Sequence, residues 1–167
     1  SQYPIVSSWL IGQSAASSIP GLLWLPAPQR SDLFLPVQAA LAGIESEFKK
    51  VDANKKISVT LVVDTGDTTG EWDKYESIMS ALNFNGKLAT NNASEDKRYH
   101  VYRTGDSAYA DPTLGPSALA AAIHADLPDV IIPLAGVTII NKLPGLVEKA
   151  FKATETKPHW LVPSNQS

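Results

Sequence analysis

Two runs of seven residues constrain the fold more than any other feature of the chain, because they are apolar at nearly every position. They read Ile-Ser-Val-Thr-Leu-Val-Val at 57–63 and Pro-Asp-Val-Ile-Ile-Pro-Leu at 128–134. A strand with one face in water alternates apolar and polar residues, whereas a strand covered on both faces is continuously apolar. Both runs therefore predict central strands of a parallel sheet.

Segments with helical periodicity separate these strands. Their apolar residues recur at intervals of three and four, which is typical of a helix with one buried face. Helices are expected at 31–50, 71–82, 116–125 and 138–152, and further strands at 3–8, 22–25, 87–90, 99–104 and 159–162. Strands that alternate with helices form crossover units and hence a parallel sheet. The expected fold class is α/β, a three-layer α/β/α, Rossmann-like arrangement around a mainly parallel sheet.

Local signals predict several boundaries. Ser31 is expected to cap the first long helix, because a serine hydroxyl accepts a hydrogen bond from a free amide of the first turn. Asn85-Gly86 predicts a tight turn. The segment 91–97 is polar and is expected to be exposed. Residues 99–103 alternate, which indicates a strand at the edge of the sheet.

Composition limits the class of protein. With 167 residues, 44% of them hydrophobic and 19% charged, the chain is expected to bury a core as one globular domain. A net charge of −3 gives no basic face, so no nucleic-acid partner is expected. Because cysteine is absent, thiolate nucleophiles, disulfides and cysteine metal sites are excluded.

The start of the chain carries no recognisable signal peptide and no initiator methionine, and Met79 is the only methionine. No apolar run approaches the ~20 residues that span a bilayer. The chain is therefore expected to be a processed or excised piece of a longer product, which is compatible with a removed secretion signal.

Candidate sites are the loops at the carboxyl ends of the strands, where parallel sheets bind ligands at the reversal of strand order. These loops lie at 7–8, 64–70, 135–138 and 164–165. Asp64 and Asp67 suit a magnesium ion or acid–base catalysis, and equally a solvated turn. The glycines and hydroxyls of 65–70 suit an anion held by helix amides, and equally an ordinary strand-to-helix turn.

The aromatic and imidazole residues give no catalytic pattern. The three histidines are scattered without metal-ligand spacing and are expected to be structural: His100, His124 and His159. Trp9 either stacks on a ligand or covers an apolar patch. The other tryptophans lie on predicted strands or helices and are expected in the core or at an interface. With no complete catalytic set, the chain is expected to be a binding protein without a cofactor or metal, rather than an enzyme.

Five short segments match one family in chain order. They are Tyr-Pro-Ile-Val-Ser-Ser at 3–8, Leu-Leu-Trp-Leu-Pro-Ala-Pro-Gln-Arg-Ser-Asp at 22–32, the strand and loop at 57–70, Leu-Pro-Asp-Val-Ile-Ile-Pro-Leu-Ala-Gly at 127–136, and Pro-His-Trp-Leu-Val-Pro-Ser at 158–164. Through these segments the chain resembles the type I periplasmic solute-binding proteins of ABC transporters, the branched-chain amino-acid-binding group. Proteins of this family have two lobes. Residues 1–21 resemble the end of the first lobe, and 22–167 resemble the second lobe as one α/β domain.

The resemblance implies a role in uptake across a bacterial membrane. Family members bind an amino acid or a related small polar solute between their lobes in the periplasm and pass it to a membrane permease. Thr69 stands where the family often has an aromatic residue, and Thr138 lies near the position of a ligand-binding acid. From the resemblance and the loops together, the candidate ligand-binding residues are Ser7, Ser8, Trp9, Asp67, Thr69, Gly136 and Thr138.

Two other hypotheses stay open. One is a small flavodoxin-like hydrolase or phosphotransferase, with Asp64 and Asp67 as its acidic centre. The other is a self-associating sensory or interaction domain, because a lobe without its partner leaves an apolar face that pairs readily. The second hypothesis predicts a homodimer.

Overall fold

The computed structural model describes residues 21–25, 33–66 and 71–163, and the predicted strand at 3–8 lies outside them. These residues form a five-stranded sheet and a two-stranded hairpin. The strands of the sheet are β1 (Leu22–Leu25), β2 (Val59–Val63), β5 (Tyr99–Arg103), β6 (Val130–Leu134) and β7 (His159–Pro163), and those of the hairpin are β3 (Asn83–Phe84) and β4 (Lys87–Leu88). The helices are α1 (Phe34–Val51), α2 (Glu71–Met79), α3 (Ala89–Asp96), α4 (Gly115–Ala125) and α5 (Val137–Ala150).

The sheet has the order β1-β7-β6-β2-β5, and every neighbouring pair is parallel. The predicted α/β class with a parallel sheet is therefore confirmed. β5 forms one edge, as the alternation at 99–103 predicts. The chain passes from β2 to β5 on one side and then to β6 on the other, so the strand order reverses between β2 and β6.

The central strands are buried along their whole length. Every residue of β2 and β6 is buried, which explains why both runs are mostly apolar. Successive side chains point to opposite faces of the sheet. Leu61 accordingly packs into one core cluster and Val62 into the other.

Helices cover both faces, which makes the three layers. On one face α1, α2 and the start of α3 pack on β2, β6 and β7, and Trp72 is buried there. On the other face α4 and α5 enclose a second cluster around Trp160. None of the helices in the described part of the chain is long and apolar enough to cross a bilayer.

The connection around the hairpin differs from its prediction. The tight turn is confirmed, since Asn85 and Gly86 have φ angles of 56° and 75°. The predicted exposure of 91–97 is confirmed at most of its positions, but α3 spans Ala89–Asp96, so the segment is helical, and the side chain of Asn92 is fully buried. Its Nδ2 donates to the carbonyl oxygens of Phe84 (2.9 Å) and Leu88 (3.1 Å). A short helix whose inward residue is polar gives no apolar periodicity, so its pattern looks like a loop.

The start of α1 lies three residues after the predicted one. The helix begins at Phe34 with Leu33 in the N-cap position and no side-chain cap, and the predicted cap residue Ser31 lies outside the described residues. Leu33 is 1% exposed and belongs to the core. The helix therefore starts without a side-chain cap, next to a residue that is buried in the core.

Candidate functional site

The carboxyl edge of the sheet brings together the loops that follow β2, β5 and β6. The Asp64 N–H donates to the carbonyl oxygen of Leu134 at 2.9 Å, so β2 and β6 stay paired as far as Asp64. The Thr104 N–H donates to the carbonyl oxygen of Val63 at 3.0 Å. These bonds place the loops side by side at the reversal of strand order, where a crevice forms in sheets of this kind.

Asp64 is held within this edge. Its Oδ1 accepts the Gly66 N–H at 3.0 Å and the Thr104 hydroxyl at 3.2 Å. The Thr104 hydroxyl oxygen in turn accepts the Thr65 N–H at 3.1 Å. Of the two roles considered for Asp64, a catalytic or metal-binding acid and a turn residue, these hydrogen bonds match the turn residue. One of its carboxylate oxygens is used to hold the loop.

Thr65 and Gly105 join the loops after β2 and β5 more closely. The Gly105 N–H donates to the Thr65 hydroxyl oxygen at 2.6 Å. A Cβ atom on Gly105 would lie far inside van der Waals contact with that oxygen, so only glycine allows this approach. Backbone and hydroxyl groups thus fix the shape of the edge beside β2.

The loop after β6 ends at the N-terminus of α5. Gly136 occupies the N-cap position and supplies no side-chain cap, and its carbonyl oxygen accepts the Ile140 N–H at 3.1 Å. The first amides of a helix lack intrahelical partners and carry partial positive charge. Thr138 lies in this first turn and is exposed. The end of the helix therefore presents hydrogen-bond donors and a hydroxyl at the carboxyl edge.

A groove lies beside this helix start. It has a volume of about 240 Å³, and its lining includes Thr104, Tyr109, Asp111, Thr138 and Lys142. An apolar recess of about 40 Å³ shares part of that lining and adds Leu119 and Leu143. The groove therefore combines hydroxyls, one cation and one carboxylate with an adjoining apolar recess, which is the usual composition of a small-ligand site.

The loop between β5 and α4 forms one wall of the groove. Gly115 packs against the Tyr109 carbonyl so closely that any Cβ atom there would clash with it. Asp111 accepts the N–H groups of Thr113 (2.6 Å) and Leu114 (2.9 Å), and these two donors lower the pKa of its carboxyl group. Asp111 therefore stays ionised and holds the wall in place.

The two charged groups of the groove are not paired with one another. Among the residues that the structure describes, neither Lys142 nor Asp111 forms an ion pair. Opposite charges on one small groove suit a solute that carries both a cationic and an anionic group.

The structure brings together only part of the predicted site. Gly136 and Thr138 lie at the carboxyl edge, and Thr138 lines the groove. The other candidates lie outside the described residues: Ser7, Ser8, Trp9, Asp67 and Thr69. Sequence reasoning missed Thr104, Tyr109 and Lys142, because the loop after β5 looks only turn-rich. The signal that could have found Lys142 is its spacing of four residues from Thr138, which places both on one helix face.

The histidines lie in packed environments. The His124 ring contacts the Glu155 carboxylate at 2.9 Å and meets the Phe151 ring edge-on. His159 packs against Phe48, and burial lowers its pKa although Asp129 acts in the opposite direction. Across 21–25, 33–66 and 71–163, no group of three His, Asp or Glu side chains is placed to hold a metal ion.

Comparison of the chain with protein-family models, with curated proteins and with solved structures found no match.

Proposed function

We propose that this chain is a solute-binding domain of an ABC-type uptake system, similar to the branched-chain amino-acid-binding group. The observation that carries the proposal is the groove of about 240 Å³ at the carboxyl edge, next to the reversal of strand order between β2 and β6. Ligands of open parallel sheets bind at this position. Five motif segments in the order of that family support the same function.

The proposed mechanism is capture followed by closure. The free amides at the start of α5 and the hydroxyls of Thr104 and Thr138 bind the polar groups of the solute. A second lobe then covers the carboxyl edge and excludes water, and the closed form delivers the solute to a membrane permease. In this proposal the protein works in the bacterial periplasm.

The proposed solute is an amino acid or a related small polar molecule. Lys142 binds its carboxylate, and Asp111 binds its amino group in place of the acid that Thr138 replaces. The apolar recess beside Leu119 and Leu143 receives a short aliphatic side chain. Binding of an amino acid therefore requires both Lys142 and Asp111, and each charge can be removed by a separate substitution.

The test is calorimetric titration with a panel of free amino acids and their amides, using the full natural protein. We expect Lys142→Gln to weaken binding of the best amino acid by about tenfold, because one charge-assisted contact is lost. Lys149→Gln is the matched control, since Lys149 is an exposed lysine of the same helix that does not line the groove. Absence of binding by every member of the panel, or equal effects of the two substitutions, rules the proposal out.

Self-association is a second candidate, favoured by two exposed leucines. Leu35 and Leu114 are 73% and 68% exposed, and they lie at the starts of α1 and α4, the helix ends that face the carboxyl edge. Val51 and Leu127, at the other ends of these helices, are exposed as well, and a homodimer that covers exposed apolar side chains removes them from water. Sedimentation equilibrium tests this idea: Leu114→Lys should shift a dimer to a monomer, and a wild-type monomer at high concentration excludes it.

The hydrolase or phosphotransferase alternative gains no separate support. Its acidic centre needs Asp64 together with Asp67, and Asp67 lies outside the described residues.

A further inference from the structure

The turn between β3 and β4 contains the one Asn-Gly pair of the sequence, Asn85 and Gly86. In such a pair the backbone nitrogen of the glycine can attack the side-chain amide of the asparagine, because glycine has no Cβ atom to obstruct the approach. Both residues have left-handed backbone angles, and Gly86 is exposed, so solvent reaches the turn. The chain therefore carries a chemically reactive pair at the tip of its hairpin.

The folded structure holds the Asn85 side chain in place through three hydrogen bonds. Its Oδ1 accepts the Ile57 N–H at 2.9 Å, and its Nδ2 donates to the Ile57 carbonyl oxygen at 2.8 Å. The second proton of Nδ2 is donated to Oδ1 of Asn92 at 2.9 Å. Both amide protons are therefore used, and the amide group is not free to rotate as a ring closure with Gly86 requires.

The product of that reaction does not fit the same place. Deamidation replaces Nδ2, which donates two hydrogen bonds, with a carboxylate oxygen that only accepts them. This oxygen would face two other acceptors, the Ile57 carbonyl oxygen and Asn92 Oδ1. The Asn85 N–H already donates to the Glu45 carboxylate at 2.8 Å, so the new negative charge arises on a residue that contacts another. Deamidation thus removes stabilising contacts and adds repulsion.

We propose that Asn85-Gly86 is a deamidation site controlled by folding, closed in the native chain and reactive once the hairpin separates from Ile57. The Gly86 nitrogen loses its proton and bonds to Cγ of Asn85, and the Cγ–Nδ2 bond breaks with loss of ammonia. Water then opens the cyclic imide at either carbonyl and leaves aspartate or isoaspartate. Neither product can donate to the Ile57 carbonyl oxygen, so a chain modified while unfolded does not regain full native stability.

The first test follows deamidation of the full protein at mildly alkaline pH, in buffer and in urea above the unfolding midpoint. Trypsin releases Asn83 and Asn85 in one peptide, and tandem mass spectrometry assigns the mass gain to either residue. Asn83 is the internal control, since the side chain of Phe84 after it obstructs the ring closure. We expect Asn85 to react at least about tenfold faster in urea than in buffer, because the reaction in buffer requires local opening. In urea it should also react faster than Asn83.

The second test uses Asn85→Asp, which carries the aspartate product from the start. In urea denaturation its equilibrium constant for unfolding should exceed that of the wild type by about tenfold or more. Asn91→Asp is the matched control, because it makes the same change at an exposed position of α3 and should not raise that constant. The proposal is overturned if Asn85 reacts as fast in buffer as in urea, if Asn83 reacts as fast as Asn85 in urea, or if the two variants are equally stable.

Discussion

The two ends of the sheet use polar side chains in different ways. At the amino end, Asn85 bonds to both backbone groups of Ile57, accepting its N–H at 2.9 Å and donating to its carbonyl oxygen at 2.8 Å. Asp129 accepts the Ser58 N–H at 2.9 Å and Lys55 Nζ at 3.1 Å. At the carboxyl end, Thr138 and Lys142 line an open groove. Polar groups that satisfy backbone partners stabilise the fold, whereas those left open are candidates for binding.

This comparison predicts that the largest loss of stability comes from Asn92, in the buried network next to Asn85. Its Nδ2 donates to backbone carbonyls, and its Oδ1 accepts from Asn85 at 2.9 Å. Asn92→Ala leaves buried groups unpaired and should lower the free energy of unfolding by about 2–3 kcal/mol in urea denaturation. Asn91→Ala, at an exposed position of the same helix, should change it by less than ~0.5 kcal/mol. Similar losses in both variants contradict the structural role of Asn92.

The next effect is expected where the carboxyl end depends on a close backbone contact. Gly115→Ala places a methyl group against the Tyr109 carbonyl, so the wall of the groove must move. We expect a loss of about 1–3 kcal/mol in unfolding free energy together with weaker solute binding. Gly43→Ala is the control, since Gly43 lies within α1 and a Cβ atom there would have no neighbouring atom within 4 Å. Gly43→Ala should stabilise the protein by about 0.5–1 kcal/mol. If Gly115→Ala is as stable as the wild type and binds solute normally, the contact between Gly115 and Tyr109 does not shape the groove.

A smaller effect is expected from His159, at the amino end of β7. Its pKa is lowered by burial, so the folded state binds fewer protons than the unfolded state as the pH falls through 6.5. Stability is therefore complete above the unfolded pKa and decreases as the pH falls towards the folded pKa. Urea denaturation at a series of pH values should give a weaker decrease for His159→Gln than for the wild type. Parallel pH profiles mean that other groups cause the decrease.

The smallest effect on stability is expected for the open groups of the carboxyl end. Thr138→Val and Lys142→Gln change exposed side chains without described ion pairs, so each should alter the unfolding free energy by less than ~0.5 kcal/mol. The same variants should weaken solute binding in calorimetry. If they lower stability as much as Asn92→Ala does, the distinction between the two ends of the sheet fails.

Much of the fold is predictable because long apolar runs have few alternatives. The runs at 57–63 and 128–134 predict two buried strands, and β2 and β6 lie within them. The helix α3 is not predictable in this way, because Asn92 is buried through hydrogen bonds to residues of a neighbouring turn. The start of α1 at Phe34 depends similarly on burial of Leu33 rather than on a local cap.

The candidate site is only partly predictable for a related reason. Gly136 and Thr138 follow a recognisable strand, so topology alone places them at the carboxyl edge. Tyr109 and Lys142 come from a turn-rich loop and from the second turn of a helix, and no sequence pattern joins them. Their approach depends on the packing of α4 against α5 and on the contact between Gly115 and Tyr109.

The sequence by itself determined the alternation of strands and helices, the parallel sheet and the two strands that form its centre, because periodicity and burial are local consequences of residue type. Only the tertiary structure decided which polar residues are satisfied and which remain open. Hydrogen-bond satisfaction depends on partners that are distant in sequence, as with Asn85 and Ile57, and no local pattern specifies that distance.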